Sequence, residues 1–417
     1  MSDFQEQLAA LRRKVARIDR KFASQTKALP PPDPRKPERY FLEEWMPGEE
    51  VKTEFGKHYE FEKLYPRHGR HGSIGISDLE SLPADLLGPI SSGEIKNSAP
   101  EKWCFLDTET TGLAGGTGTY AFLIGVGRIT PEGFRVRQFF MREFAEEASL
   151  LSALTRHLEQ FEVLITYNGR TYDQPLLETR YRMVRARPPF SRLAHLDLLF
   201  GTRRLWNLRF ESCRLVELEH RILGVERQGD LPGEMIPYVY FEYQRRGEID
   251  RLLPIFHHNQ LDILTLACFT AIVPYAFYDP AKAQFAHGAE MVGLARWWRQ
   301  AEQYEHALAL FRQAVKRGLR DDLLFRTLWD VALLEKKIGR VLAALPVLVD
   351  LAASRNPWQS AALEELAKYY EHQEKNYGMA LEMTRNALAV TASDGLLRRL
   401  ARLEKRASLP KSGRLLS

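Results

Sequence analysis

The order in which the hydrophobic pattern changes between residues 102 and 276 restricts the fold more than any other feature of the chain. Three apolar runs come first, WCFLD, YAFLIGVGRI and FRVRQFF, separated by short turns that contain Gly or Pro-Glu-Gly. They read as three successive strands. The period then switches. EEASLLSALTRHLEQF is an amphipathic helix, EVLITYN a buried strand, QPLLETRYRMV a helix, AHLDLLF a short fifth strand, and 249–276 contains the last helix. A three-strand meander followed by α-β-α-β-α excludes a purely parallel sheet. It predicts an α/β domain with a mixed five-stranded sheet and flanking helices.

Four segments are expected. Residues 1–27 form an amphipathic helix, with Phe4, Leu8, Leu11, Val15, Ile18 and Phe22 on one stripe. That stripe suits a helix docked on its own protein or a short coiled coil. Residues 28–100 are a Pro/Gly-rich linker that opens with LPPPDPRKP and holds a possible β-hairpin at 50–65, turning at Gly56-Lys57. The stretch from 66 to 100 reads as loop, in which His68 and His71 are solvated rather than metal ligands. The α/β domain occupies 101–278. In 285–410, Ala307, Ala344 and Ala380 recur at intervals of 37 and 36 within matching helical frames. Three helical hairpins with small residues at their contacts predict an all-α, tetratricopeptide-like repeat domain.

The totals set outer limits. A net charge of +5 permits a polyanionic partner without requiring one. Cys104, Cys213 and Cys268 lie far apart and supply neither a zinc site nor a disulfide framework, so a reducing cytoplasm is expected. No uninterrupted run of eighteen apolar residues and no signal-peptide core is visible, and no membrane association is expected.

Chemistry concentrates in three motifs. Asp107 and Glu109, in FLDTETTGL, stand two apart at a strand end, so both carboxylates leave one face. So placed, they can flank a pair of metal ions about 4 Å apart. Thr110, Thr111 and Gly112 then turn the chain and offer backbone N–H groups to a phosphate. Asp173, in TYNGRTYD, follows a buried strand at a helix start. Alone it would read as a helix cap; beside the first motif it reads as a third metal-site carboxylate, with Asn168 orienting substrate or loop. In HHNQLDIL, His258 and Asp262 are four apart on one helix face, while His257 lies about 140° round from Asp262. A histidine near neutrality suits deprotonation of water. His258 is the favoured base and His257 its substitute.

Together these motifs resemble those of the DEDD-type 3′→5′ exonucleases of the ribonuclease-H-like superfamily. From about 95 to 275 the chain is more similar still to the YprB-type ribonuclease-H-like family, through FLDTETTGLAGGTGTYAFLIGVG, HLDLLF, RRLW, SCRLVELE, DLPGEMIP and HNQLDIL. The resemblance implies a ribonuclease-H-like fold and hydrolysis of phosphodiester bonds from the 3′ end of single-stranded DNA or RNA. Asp107, Glu109, Asp173 and Asp262 would hold two Mg²⁺ or Mn²⁺ ions. His258 or His257 would activate water, Leu113 would pack against the terminal bases, and Asn168 and Asn259 would contact substrate. Better-known subgroups carry Tyr four residues, or His five residues, before the last Asp. Here both positions are His. The alternative is a nucleic-acid-binding adaptor whose repeats bind a protein partner. Ten arginines against four acidic residues in 180–221 either track a nucleic-acid backbone or form solvated faces. Asp197 reads as a hydrogen-bond partner of the site rather than a fifth ligand.

Overall fold

A computed structural model of the protein describes residues 46–112, 116–247 and 249–407. The helix expected over 1–27, the proline tract that follows it, and Leu113 lie outside the described residues. The mixed α/β sheet is present, and it has seven strands rather than five. The two extra strands come from the hairpin within the expected linker, β1 (Gly48–Thr53) and β2 (Gly56–Pro66), which turns at Gly56 with φ of 118°. Two short strands, β3 (Arg70–His71) and β4 (Ile74–Gly75), pair with each other apart from the main sheet. Next come β5 (Trp103–Thr110), β6 (Ala121–Thr130), β7 (Gly133–Phe140), β8 (Val163–Thr166) and β9 (Ala194–Asp197). The spatial order is β1-β2-β7-β6-β5-β8-β9; β8 runs parallel to β5 and β9 parallel to β8, and the remaining pairs are antiparallel. The hairpin was legible as strands. Its destination was not, because an edge strand carries no local mark of the strand it will join.

Helices cover both faces. In chain order they are α1 (Glu147–Leu158), α2 (Asp173–Met183), α3 (Leu198–Trp206), α4 (Leu215–Leu218), α5 (Ile236–Arg246) and α6 (Leu253–Tyr278). Alternation along β7 shows how the faces divide. Phe139 meets His157 of α1 at 5.5 Å between ring centroids, whereas its neighbour Phe140 meets Phe256 of α6 at 5.0 Å. By length and composition α6 is apolar enough to cross a bilayer, but 67% of its apolar window is buried inside this protein. It lies across β5, β6 and β7.

That close approach depends on Gly125 and Gly127 of β6. A Cβ at Gly125 would stand 2.2 Å from both Asn259 Oδ1 and Ile263 Cδ1, and one at Gly127 would stand 2.5 Å from Ile263 Cγ2. Gly125→Ala is therefore expected to push α6 off the sheet at a cost of about 1–3 kcal/mol. A urea midpoint equal to that of the unaltered protein would show that the helix has room to spare.

Residues 66–100 are largely turns, as their composition predicts, yet they are not a solvated loop. Ile76, Leu79, Leu86, Leu87, Ile90 and Ile95 all enter the main core. His71 is buried and its Nε2 meets Glu219 Oε1 at 3.1 Å and Thr265 Oγ1 at 2.8 Å. Irregular spacing hid these residues, since turn-rich backbone can bury apolar side chains without any period.

The C-terminal part is all helical: α7 (Gly288–Gln300), α8 (Tyr304–Arg317), α9 (Asp321–Lys337), α10 (Val341–Ala353), α11 (Gln359–His372), α12 (Tyr377–Val390) and α13 (Asp394–Ala407). They pack as consecutive pairs, α7 with α8, α9 with α10 and α11 with α12, with α13 against α12. Ala307, Ala344 and Ala380 each sit on the second helix of a pair and are fully buried. The first pair is continuous with the α/β core. Gly293 of α7 lies so near α3 that a Cβ would be 1.9 Å from the Arg204 carbonyl oxygen, and Phe277 of α6 packs edge-on to Trp297 at 4.8 Å.

Candidate active site

Strand β5 carries its apolar residues inward as far as Leu106 and then presents Asp107, Thr108 and Glu109 at its C-terminal end. Asp107 lies opposite Gly125 in the β5–β6 register, and a β-bulge follows between Glu109 and Thr110. A bulge re-aims the side chains around it. Parallel strand β8 ends beside β5 and leads through Tyr167 and Asn168 to α2, whose first residue is Asp173. The Asp173 carboxylate is not consumed as a helix cap. Tyr172 holds the N-cap position and makes no side-chain cap bond, while Asp173 Oδ1 accepts from Thr108 Oγ1 at 2.5 Å. Thr108 thus ties the third motif to the first.

Asp107, Asp173, Asn168, Thr110 and Gly112 line one cleft of about 700 Å³. Its loop is held from beneath by Asp197, which is buried and accepts from the backbone N–H groups of Asn168 at 2.8 Å, Arg170 at 3.1 Å and Leu199 at 3.1 Å. Those bonds keep Asn168 in the left-handed region, with φ of 68°. Both carboxylate oxygens of Asp197 are thus engaged by this backbone. The threonines that follow β5 shape the turn: Thr110 Oγ1 donates to the Gly112 carbonyl and Thr111 Oγ1 accepts from Tyr120 N.

The carboxylates repel one another. Burial, then the charges of Asp262 and Asp173, hold the Asp107 carboxyl well above the usual range. Burial and Asp107 do the same to Glu109, which is 8% exposed and has no cationic partner among the described residues. Burial, partly offset by the Thr108 bond, pushes Asp173 up to about 6. Such a group of oxygen donors is chemically suited to a hard divalent cation. Among the described residues, however, no three His, Cys, Asp or Glu side chains stand at ligand spacing around one point. A cation would have to draw Asp107, Glu109 and Asp173 together.

Asp262 stands apart from this group in its partners. Arg227 Nη2 donates to Asp262 Oδ1 at 2.6 Å, and the same guanidinium reaches Glu219 Oε2 at 2.5 Å and Asp230 Oδ2 at 3.3 Å. The Arg227 side chain is only 4% exposed. His258 Nδ1 lies 2.7 Å from Asp230 Oδ1, and its Nε2 lies 3.4 Å from Asp262 Oδ2. Burial opposes the charged imidazole, but the Asp230 bond and the Asp262 charge outweigh it and raise the His258 pKa. His257 is exposed. Partial desolvation and Lys63 lower its pKa.

Asn259 does not face a substrate. It is fully buried, donates from Nδ2 to Asp107 Oδ2 at 2.8 Å and accepts at Oδ1 from Gln138 at 2.8 Å. It positions a carboxylate. Arg227, Asp230 and Glu219 went unnoticed as site residues in the sequence. Glu219 and Asp230 stand in SCRLVELE and DLPGEMIP, which resemble the family without marking a role, and the Arg-x-x-Asp spacing of ERQGDLPG is ordinary in a loop.

The family model described as the RNase_H superfamily matches residues 104–272, which run from the carboxylate-bearing strand β5 into α6. Over 380 residues the chain is 31% identical to the "Uncharacterized protein YprB" of Bacillus subtilis (strain 168), covering 88% of this chain and 91% of that protein. The chain belongs to the YprB family. Its residues 104–272 are ribonuclease-H-like, and the similarity to YprB extends beyond them into most of the chain. A family B DNA polymerase from Pyrobaculum calidifontis aligns at TM-score 0.32 and 13% identity, over 49% of this chain and 30% of its own.

Proposed function

We propose that this YprB-family protein is a metal-dependent 3′→5′ exonuclease acting on single-stranded DNA or RNA by a two-metal mechanism. The observation that supports the reading is the trio of Asp107, Glu109 and Asp173, drawn from two motifs, joined through the Thr108–Asp173 bond and all with raised pKa. Membership of the ribonuclease-H superfamily supports nuclease chemistry. Asp107, Glu109, Asp173 and Asp262 would hold Mg²⁺ or Mn²⁺, which supplies charge neutralisation and an acidified water.

The remaining work falls to the chain itself. Asn259 fixes the direction of the Asp107 carboxylate. Asp230 retains the proton on His258 Nδ1, so the proton that His258 exchanges is the one on Nε2. His258 would then act as the base, with His257 the exposed substitute. The backbone around Thr110, Thr111 and Gly112 would receive the terminal phosphate and Leu113 would pack against the terminal bases, with Asn168 lining the same cleft. The C-terminal helical pairs, read as tetratricopeptide-like repeats, would receive a protein partner.

One observation favours the adaptor reading, a nucleic-acid-binding protein with little catalysis. The fourth carboxylate already has a cation, because Arg227 pairs with Asp262. The two readings part in one experiment: 5′-labelled single-stranded RNA and DNA incubated with Mn²⁺, beside Asp107→Ala, His258→Ala and His257→Ala. The exonuclease produces a ladder shortening from the 3′ end, lost in Asp107→Ala and slowed about 10²–10⁴-fold when the base is removed. Binding without cleavage by the unaltered protein would establish the adaptor instead.

A further inference from the structure

The cleft at the carboxylates does not end at the loop after β8. Tyr167 and Asn168 also form a wall of a second groove, of about 660 Å³, that continues along α3 to the segment 210–215. The ridge between the two is rigid. Tyr167 donates its hydroxyl proton to the Cys213 carbonyl, lies 3.1 Å from Thr202 Oγ1, and is followed by Asn168 on the Asp197 clamp.

The arginines of this region divide by what they already do. Arg180 is buried against Glu147, Arg192 donates to the Leu158 and Glu159 carbonyls, Arg204 lies over Trp297, and Arg209 pairs with Glu290. These hold the protein together. Arg203 and Arg214 are different: both are exposed, both line the second groove, and neither has an ion-pair partner among the described residues. Glu211 is the one acidic residue on the same walls, beside the neutral donors Asn207 and Ser212. Phe210, the groove's other aromatic residue, lies under the guanidiniums of Arg209 at 4.7 Å and Arg221 at 5.1 Å from its ring centroid. Its π surface already has cationic partners, so the groove presents charge and amide donors rather than a stacking platform.

We propose that this groove, with Arg203 and Arg214 as its free cations, binds the sugar–phosphate backbone of single-stranded nucleic acid upstream of the end that reaches the carboxylates. The inference rests on the nuclease reading for the direction of the strand. Two unpaired guanidiniums beside hydrogen-bond donors recognise phosphates in sequence, whatever bases those phosphates carry. RNA and DNA share that chemistry.

The test is fluorescence anisotropy in EDTA, where no cleavage intervenes, with labelled single-stranded RNA and DNA of about 4 to about 12 nucleotides. The unaltered protein is compared with Arg203→Gln/Arg214→Gln. Both side chains are exposed, so the thermal midpoint is expected to stay unchanged. Loss of two phosphate contacts should lower the slope of log affinity against log salt by about 1.4 and weaken binding about tenfold at 0.15 M salt. The gain in affinity with length should shrink in the variant, for either sugar and for any base sequence. Unchanged affinity and slope in the double variant would overturn the proposal, as would a loss seen only with blunt duplex. Groove binding by a protein that cleaves nothing in Mn²⁺ would leave the groove standing and remove the nuclease reading. Cleavage with unaltered binding in the variant would do the reverse.

Discussion

Replacing Arg227 with methionine is expected to destabilise the protein by about 3–5 kcal/mol, the usual cost of removing one partner from a buried charge network. The guanidinium is 4% exposed and holds Glu219, Asp262 and Asp230 at 2.5, 2.6 and 3.3 Å. Glu219 is itself buried and also accepts from Thr265, with His71 alongside. Methionine fills most of the volume and supplies none of the charge, so three carboxylates would remain without it. Lysine should fall between the two, because one ammonium cannot fork to three acceptors. Urea unfolding near neutral pH measures the difference. A midpoint for Arg227→Met matching the unaltered protein would mean that the carboxylates find water or relax apart.

Raising the pH should weaken the metal-free protein and leave the metal-loaded one largely unaffected. Asp173 titrates at about 6 in the folded protein, against about 4 in an unfolded chain. The folded form therefore binds the proton more tightly, and its contribution is complete below pH 4 and lost as pH rises through 6. For Asp173 alone this amounts to about 3 kcal/mol between those limits. Asp107 and Glu109 are shifted the same way. His258, whose pKa is also raised, adds a loss of the same sign at higher pH. Thermal midpoints in EDTA should fall from pH 5 to pH 8, and millimolar Mn²⁺ should restore them at the upper end. Asp173→Asn should flatten the EDTA profile. A flat profile in the unaltered protein, or no recovery with Mn²⁺, would count against a cation site built on these carboxylates.

Much of the domain was legible because its central strands and helices are strongly patterned. YAFLIGVGRI and FRVRQFF could only be strands beside each other, and they are β6 and β7. The helix around HHNQLD was visible for the same reason. What escaped was pairing at a distance. Nothing local in VKTEFGKHYEF tells that β2 will add to β7, and nothing in Ile76 or Leu87 tells that turn-rich backbone will bury them. The same limit applied to the site. Asp107 and Glu109 declared themselves by spacing, but Arg227 lies 35 residues from Asp262, and only the fold joins them. Asn259 was read as a substrate contact from its place in the motif, whereas its neighbours β6 and β7 turn it inward.

The seam between α3 and α7 has a consequence for how the chain can be inherited. Leu205 and Trp206 on one side, and Val292, Leu294, Ala307 and Phe311 on the other, belong to the same apolar core. The later helices instead form small clusters of their own around Leu348 and Leu363. Recombination at the 279–287 connector would split a core and leave both products with an oily scar. Breakpoints beyond α9 would divide only stacked hairpins. Length variation among descendants of this architecture should therefore accumulate at the distal end of the array, with the first helical pair passed on as part of the nuclease-like domain.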